Sequence, residues 1–325
     1  MFIVHLDEHR AKMYVVYLGR ILHQSDGVKW SAGMKSVVVT GVSTGIGAGA
    51  AVVLLRKGWR VYGSVRRLSG GLALQRKYGD AFTPLLFDVE DDGAILNAAD
   101  QVRSMLQGQT LAGLVNNAGS SFPDPLLVQS VADFRRQLNI NLVGTFAVTR
   151  AFAPLLGADP TMRGAKGRIV NISSVGGKMG PPFLGAYAAA KHGVEGFSES
   201  LRRELQLIGI DVIVIGPGSV RTAVWDKAEA MPLDHLVGTI WEEPYKAFHA
   251  YMISGGRKGL DPEDVGAVIA KALEVARPRT RYAVLKGKFL NATLPTLLPA
   301  RWIDQMIGRQ LGLLPASSRI VAATK

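Results

Sequence analysis

The chain has 325 residues, about twice the usual ~150-residue domain, a length that one large α/β unit with extensions fills. Its composition, 48% hydrophobic and 20% charged with no cysteine, excludes disorder, coiled coil and collagen, and equally disulfides, thiolate metal sites and cysteine nucleophiles. A net charge of +12 raises the question of a nucleic-acid partner, but from Arg277 onward nine basic residues face the single acid Asp304, so the excess is mainly a tail property, and no nucleic-acid recognition motif accompanies it.

Residues 1–33 show no sustained periodicity and are expected to be a poorly ordered extension or an upstream misassigned start. Asp7 and Glu8 precede a short apolar stretch cut by Arg20, which is not the order of a secretory signal, and no apolar run approaches the ~18 residues of a bilayer span. A cytoplasmic protein is the expectation. From Met34 on, short β-branched runs near 35–40, 60–65, 82–87, 111–116, 167–173, 210–215 and 281–285 alternate with amphipathic stretches. Continuous apolar strands between helices predict a parallel sheet covered on both faces. The fold expected over 34–289 is thus a doubly wound α/β sheet of seven strands, followed by a basic amphipathic extension over 290–325.

The first strand runs into Thr40-Gly-Val-Ser-Thr-Gly-Ile-Gly47 and then a helix-compatible stretch from Ala48 to Lys57. Glycines at 41, 45 and 47 let the backbone turn sharply and approach a pyrophosphate, whose charge the helix N-terminal amides stabilise. A P-loop is excluded because no Gly-Lys-Ser/Thr follows. The second strand ends at Val65 and is followed by Arg66 and Arg67. At this place an acid holds a ribose 2′-hydroxyl, whereas an arginine accommodates a 2′-phosphate. NADP(H) is therefore expected in preference to NAD(H), with Arg66, joined by Ser43, on the phosphate.

Tyr187 and Lys191 stand four residues apart in a strongly helical stretch, so their side chains share a face. An ammonium beside a phenol favours the phenolate and is expected to bring the tyrosine down from ~10 toward working pH, making a proton donor and acceptor. Ser173 and Ser174 close the preceding strand, and a Gly/Pro-rich loop joins them to Tyr187.

Taken in order along the chain, these segments resemble the short-chain dehydrogenase/reductase family, from about Lys35 to Tyr282, roughly three quarters of the length. The resemblance implies a Rossmann-type sheet in which Gly41, Ser43, Thr44, Gly45, Ile46 and Gly47 form the cofactor turn and Asp88 and Val89 contact adenine. It also implies that Asn116, Asn117, Ala118 and Gly119 support the central strand beside the cofactor, and that Pro217, Gly218, Val220 and Thr222 close over the nicotinamide. The implied catalytic tetrad is Asn141, Ser174, Tyr187 and Lys191, with Ser174 chosen over Ser173 because it precedes Tyr187 by the family's 13 positions. In that scheme hydride reaches a carbonyl carbon while Tyr187 donates a proton to the oxygen and Ser174 hydrogen-bonds it. Lys191 would hold ribose hydroxyls and tune Tyr187, and Asn141 would anchor a proton-delivering water chain.

The pocket is expected from the 175–185 loop and the segment after Thr222, which carry Met179, Phe183, Trp225, Met231, Leu233, Leu236, Trp241, Tyr245, Phe248, Tyr251 and Met252. Such aromatic and thioether groups suit a bulky apolar ligand. The segments Ser174–Gly180 and 260–287 resemble the branch with 17β-hydroxysteroid and retinol dehydrogenases, which implies a steroid-, retinoid- or lipid-like ketone or secondary alcohol. Two other readings compete. One is a 3-oxoacyl-carrier-protein reductase whose basic residues dock an acidic carrier. The other is an NADP-sensing binding protein without catalysis, against which the intact tetrad argues. The stretches 130–156 and 187–208 resemble the family's dimer faces, so a homodimer or homotetramer is expected. Near the end, Ile303, Ile307, Leu311 and Leu314 form one helix face with Arg301, Asp304 and Arg309 elsewhere, which packs on its own domain or makes peripheral membrane contact. The six histidines show no metal-ligand spacing, so no metal is expected, and His192 should point off the catalytic face.

Overall fold

The first strand, β1 (Ser36–Val39), reads Ser-Val-Val-Val with every side chain buried, because a strand between two helical layers has no wet face. The structure, a computed structural model, describes residues 34–287 and 298–315. The expectations for residues 1–33, and those for 288–297 and 316–325, lie outside the described residues. After β1 come α1 (Gly45–Arg56), β2 (Arg60–Val65), α2 (Leu72–Tyr78), β3 (Phe82–Leu86), α3 (Asp92–Leu106) and β4 (Gly113–Asn116). The second half continues with α4 (Val131–Leu138), α5 (Gly144–Phe152), β5 (Arg168–Ile172), α6 (Gly185–Glu204) and β6 (Asp211–Pro217). Then follow α7 (Val224–Glu229), α8 (Glu242–Arg257), α9 (Pro262–Glu274), β7 (Arg281–Val284) and α10 (Ala300–Leu311).

All seven predicted strands are present and pair in parallel in the order β3-β2-β1-β4-β5-β6-β7. Side chains alternate between the two faces of each strand. Val37 and Val39 therefore join Leu54 of α1 and Ile269 of α9 in one core, while Val38 joins Val102 of α3 and Phe152 of α5 in the other. Each fully buried Leu or Ile contributes roughly 1.5–3 kcal/mol, so the two cores hold the strand ends as a rigid platform. On the first face α1 and α9 cross almost backbone to backbone: a Cβ on Gly266 would lie 2.9 Å from the Gly49 carbonyl oxygen.

Strand order reverses at β1, with β2 on one side and β4 on the other. A crevice opens at the carboxyl ends of strands where the order reverses, and the glycine turn and the Asn116–Gly119 segment both leave the sheet there. Helices α4 and α5 run on through one widened π turn, Asn139–Val143, which carries Asn141.

Candidate active site

The turn after β1 is shaped for an anion. Gly41 and Gly45 have φ of +73° and +64°, left-handed values that side chains disfavour, and a Cβ on Gly47 would run into the Gly41 carbonyl oxygen. The Ser64 hydroxyl accepts the Gly41 N–H at 2.9 Å, and the Asn117 amide donates to the carbonyls of Thr40 and Gly41 at 2.9 and 3.3 Å. Helix α1 starts here with no acid in its first turn and no side chain capping it, leaving its N-terminal N–H groups for a ligand. Ser43 and Thr44 are exposed on the rim, Ile46 packs toward the core, and the Thr222 methyl stands 3.3 Å from where a Gly45 Cβ would be. A pyrophosphate fits this cradle.

Arg66 and Arg67 are exposed just past the buried Val65, and the stretch from Arg66 to Gly79 contains no acid. Gly70, in the turn that follows, lies against Ser43: a Cβ there would be 3.0 Å from the serine Cβ. Ser43 and the arginine segment therefore border the same rim. Beyond β3, Asp88 accepts the Glu90 N–H at 3.2 Å, while the Val89 side chain is buried against Gly144, so Val89 offers a ligand only its backbone. Thr40, which no motif had singled out for a role of its own, accepts the N–H groups of Asn117 and Ala118 at 2.9 Å each and ties the turn to the next strand. Asn116 faces the core and donates to Thr149 and Asn171, both at 2.8 Å. Gly119 abuts the Asn141 amide oxygen. On the far side, β6 ends at Pro217, the Gly218 N–H donates to Val284 at 3.0 Å, and Val220 is buried and bridged to Leu260.

Tyr187 and Lys191 share a face of α6, with the Lys191 Nζ 5.7 Å from the Tyr187 ring centroid. Lys191 is 5% exposed and donates to the Ile172 carbonyl at 2.9 Å. Ser174 follows β5 after one intervening residue, Ser173, and its Oγ accepts the Gly176 N–H at 3.0 Å. Ser173 is buried with its Oγ turned to Gly177, so Ser174 is the serine beside the tyrosine. The expected acidification of the phenol by the ammonium is corrected here. Burial raises Tyr187 above the ordinary 10, the Ser174 hydroxyl opposes the rise, and burial draws Lys191 down to about 8. Loss of hydration is the larger cause for the phenol and the sole cause for the ammonium, which is directed at the Ile172 carbonyl.

Asn141 is fully buried. Its amide donates to the carbonyls of Ser120 and Gln137 at 2.8 and 2.9 Å, and its Oδ1 accepts the Ser120 N–H at 3.2 Å. Both amide hydrogens are thus committed, one to the loop after β4 and one to the Gln137 carbonyl on the preceding helical turn, and of the side chain only an Oδ1 lone pair is left for the expected water chain. Gln137 completes the clamp, accepting the Phe122 N–H and donating to the Phe122 carbonyl, both at 3.0 Å. A glutamine in an amphipathic helix reads as surface, so the sequence carried no signal for it.

Over this site lie α7, α8 and α10. Phe183 (φ +63°) centres an aromatic cluster, its ring 5.2 Å from Tyr245 and Phe248 and 6.3 Å from Trp241. Leu184, Leu236 and Leu311 complete the cluster, and Tyr187 borders it. Of the expected pocket residues, Phe183, Leu236, Tyr245 and Phe248 are packed support, while Tyr251 is exposed. Tyr245 donates to the Pro123 carbonyl at 2.9 Å. The Trp225 indole lies on Gly256 and donates to the Val220 carbonyl at 2.7 Å. Helix α10 packs Ile307 and Leu311 inward as expected, but it stops at Gly312 (φ +71°), and Leu314 folds back onto Gly308 instead of extending the face. His192 is exposed, with Nδ1 2.8 Å from the Ala188 carbonyl. Among the described residues no group of three or more His, Asp or Glu is placed to hold a metal, and no helix is long and apolar enough to cross a membrane.

Comparison with known proteins agrees with this layout. The model of the short chain dehydrogenase family matches residues 35–232. The NADPH-dependent 3-dehydrocapnine reductase of Ornithobacterium rhinotracheale is 33% identical over 88% of this chain and 100% of its own. Retinol dehydrogenase 16 of Mus musculus is 34% identical over 84% and 87% respectively. A solved short-chain dehydrogenase from Streptomyces avermitilis superposes with a TM-score of 0.69 at 25% identity, covering 91% of this chain and 100% of that one. The chain belongs to the short-chain dehydrogenase family of NAD(P)-dependent oxidoreductases acting on CH–OH groups, on the side of the family that resembles retinol and hydroxysteroid dehydrogenases.

Proposed function

We propose that the protein transfers hydride between NADP(H) and a hydrophobic ketone or secondary alcohol of steroid-, retinoid- or lipid-like character, with Tyr187 as the acid and base. The observation that carries this reading is Tyr187 itself: a phenol against an apolar cluster, beside Ser174 and Lys191, on the helix that follows β5. The cofactor when bound supplies the hydride. The glycine turn and the first turn of α1 bind its pyrophosphate, and Arg66 with Ser43 takes the 2′-phosphate. Ser174 hydrogen-bonds the substrate oxygen, and Tyr187, protonated at neutral pH because burial holds its phenol high, donates the proton that a carbonyl needs on reduction. Lys191 holds ribose hydroxyls, and Asn141 fixes the loop that borders the site.

Two relatives support the finer points: one is an NADPH-dependent 3-dehydrocapnine reductase and the other a retinol dehydrogenase. The apolar cluster around Phe183 supports a hydrophobic substrate. Exposed Val143 and Phe146 on the α4–α5 face support a homodimer or homotetramer. On α10, exposed Trp302 and Met306 near Arg301 and Arg309 support peripheral membrane contact. Oxidation of NADPH with retinaldehyde, a 17-ketosteroid, a long-chain 3-ketone and an acetoacetyl thioester, repeated with NADH, tests the core of the proposal. Turnover of an apolar ketone with NADPH, lost by a hundred-fold or more in Tyr187→Phe at unchanged NADPH affinity, is the expected result. Comparable rates with NADH overturn the role of Arg66, and substantial turnover by Tyr187→Phe overturns the mechanism.

A further inference from the structure

Glu195 stands one turn beyond Lys191 and two beyond Tyr187 on α6, at spacings of four residues that keep all three on one face. Its side chain is only 8% exposed. A carboxylate so buried needs partners. Arg281 of β7 donates Nε to both carboxylate oxygens at 3.1 and 3.0 Å and Nη2 to Oε1 at 3.1 Å, and the Lys178 Nζ lies 3.4 Å from Oε2.

Both partners lead to Ser174. Lys178 ends the short turn Val175–Gly177 that Ser174 caps. Gly177 in that turn sits so close to α6 that a Cβ would be 3.1 Å from the Lys191 carbonyl oxygen and 3.2 Å from the Glu195 Cγ. Arg281 crosses Gly216 of β6, where a Cβ would meet the guanidinium and lie 3.3 Å from the Ser174 carbonyl oxygen. The helix carrying Tyr187, the turn carrying Ser174 and the last strand thus converge on one carboxylate.

We infer that Glu195, gripped by Arg281 and Lys178, is a positioning residue that sets the Ser174 hydroxyl against the Tyr187 oxygen. The inference rests on the roles proposed above for Tyr187 and Ser174. A buried ion pair contributes little net stability compared with apolar residues of the same volume, so its effect here is on register. A shift of about 1 Å between reacting groups costs as much as a hundred-fold in rate. Ser174 is also the group that opposes the rise of the Tyr187 phenol, so a displaced Ser174 has a titration signature as well as a rate.

The test follows oxidation by NADP+ of the alcohol that corresponds to the fastest carbonyl of the panel, in the parent, Ser174→Ala, Glu195→Gln and the double variant, with Arg281→Lys as the variant that keeps both charges. Glu195→Gln is expected to lower kcat about ten-fold with the KM for NADP+ unchanged. The acid limb of its kcat–pH profile should move to higher pH in the same sense as in Ser174→Ala. The double variant should be no slower than Ser174→Ala alone, because both changes remove one interaction. Arg281→Lys should lose less than Glu195→Gln and shift the limb the same way; if Glu195→Gln does not fold, this variant carries the test. An unmoved profile, or losses that multiply in the double variant, would falsify the inference. Turnover retained by Tyr187→Phe would instead defeat the underlying mechanism, whereas a dead Tyr187→Phe beside a parent-like Glu195→Gln defeats the positioning role alone.

Discussion

Lys191 shows how a buried charge links function to pH. Its folded pKa of about 8 lies below the ordinary 10.5, so between those values the unfolded chain binds the proton more readily than the folded one. Stability from this group therefore rises with pH from about 8 to 10.5 and is at its lowest below 8. Lys191→Met removes the buried ammonium, and the variant's stability relative to the parent is expected to be highest near pH 7. That advantage should shrink by as much as about 3 kcal/mol by pH 10.5, which urea unfolding of the cofactor-free proteins at a series of pH values measures. Arg66 is the opposite case, a side chain in solvent whose proposed role is toward a ligand. Arg66→Ala is expected to raise the KM for NADPH by roughly ten-fold or more, with kcat and the NADH parameters little changed, since a charge-assisted hydrogen bond contributes about 1.5–3 kcal/mol. Equal effects on both cofactors in steady-state kinetics would remove Arg66 from the phosphate site.

The glycine turn and the helix it feeds act as one element. A side chain on Gly47 has no space because the Gly41 backbone and the Asn117 amide occupy it. Gly47→Ala is thus expected to weaken NADPH binding at least ten-fold and lower the melting temperature, seen by fluorescence titration and thermal unfolding. Gly196, exposed on α6 with nothing within 4 Å of a Cβ, is the contrast: Gly196→Ala should stabilise by about 0.5–1 kcal/mol. Elements of this kind were legible in the sequence because their signals are local. Val37, Val38 and Val39 announce a strand, Thr40 to Gly47 a tight turn, and Tyr187 with Lys191 a shared helix face. The widened turn at Asn139–Val143 was not legible, since Asn139-Ile-Asn-Leu-Val143 reads as ordinary helix and the bulge appears only when Asn141 reaches across to Ser120. The Glu195–Arg281 pair joins residues 86 apart, and no local pattern couples them. The Tyr187 phenol followed the same rule: spacing revealed its neighbour, while its titration depends on burial that the whole fold supplies.

For the molecule as a whole, the sheet carries the chemistry and the carboxyl-terminal helices carry the cover. Leu311 of α10 sits in the same cluster as Phe183 and Phe248, with Tyr187 at its border. The last described helix is therefore packed against the apolar cluster that borders Tyr187. Leu311→Ala is expected to cost about 2 kcal/mol and to raise the KM for an apolar ketone several-fold, leaving the KM for NADPH unchanged. Parallel changes in both constants would show that α10 supports the fold alone. The apolar face of α10 is visible as a period in the sequence, but its end is not: Gly312 reverses the chain and Leu314 returns to Gly308.

The indole of Trp225 is pinned to the backbone of Val220 and seated in the notch left by Gly256. It consequently spans the seam between the stretch after β6 and the helix α8. If α8 swings away from that stretch, the ring must leave its seat, exchange a half-buried hydrogen bond for water and change colour in the ultraviolet. With Trp30, Trp59, Trp241 and Trp302 replaced by Phe, the chain would carry a single internal lamp whose emission reports whether the Trp225 ring stays seated on Gly256.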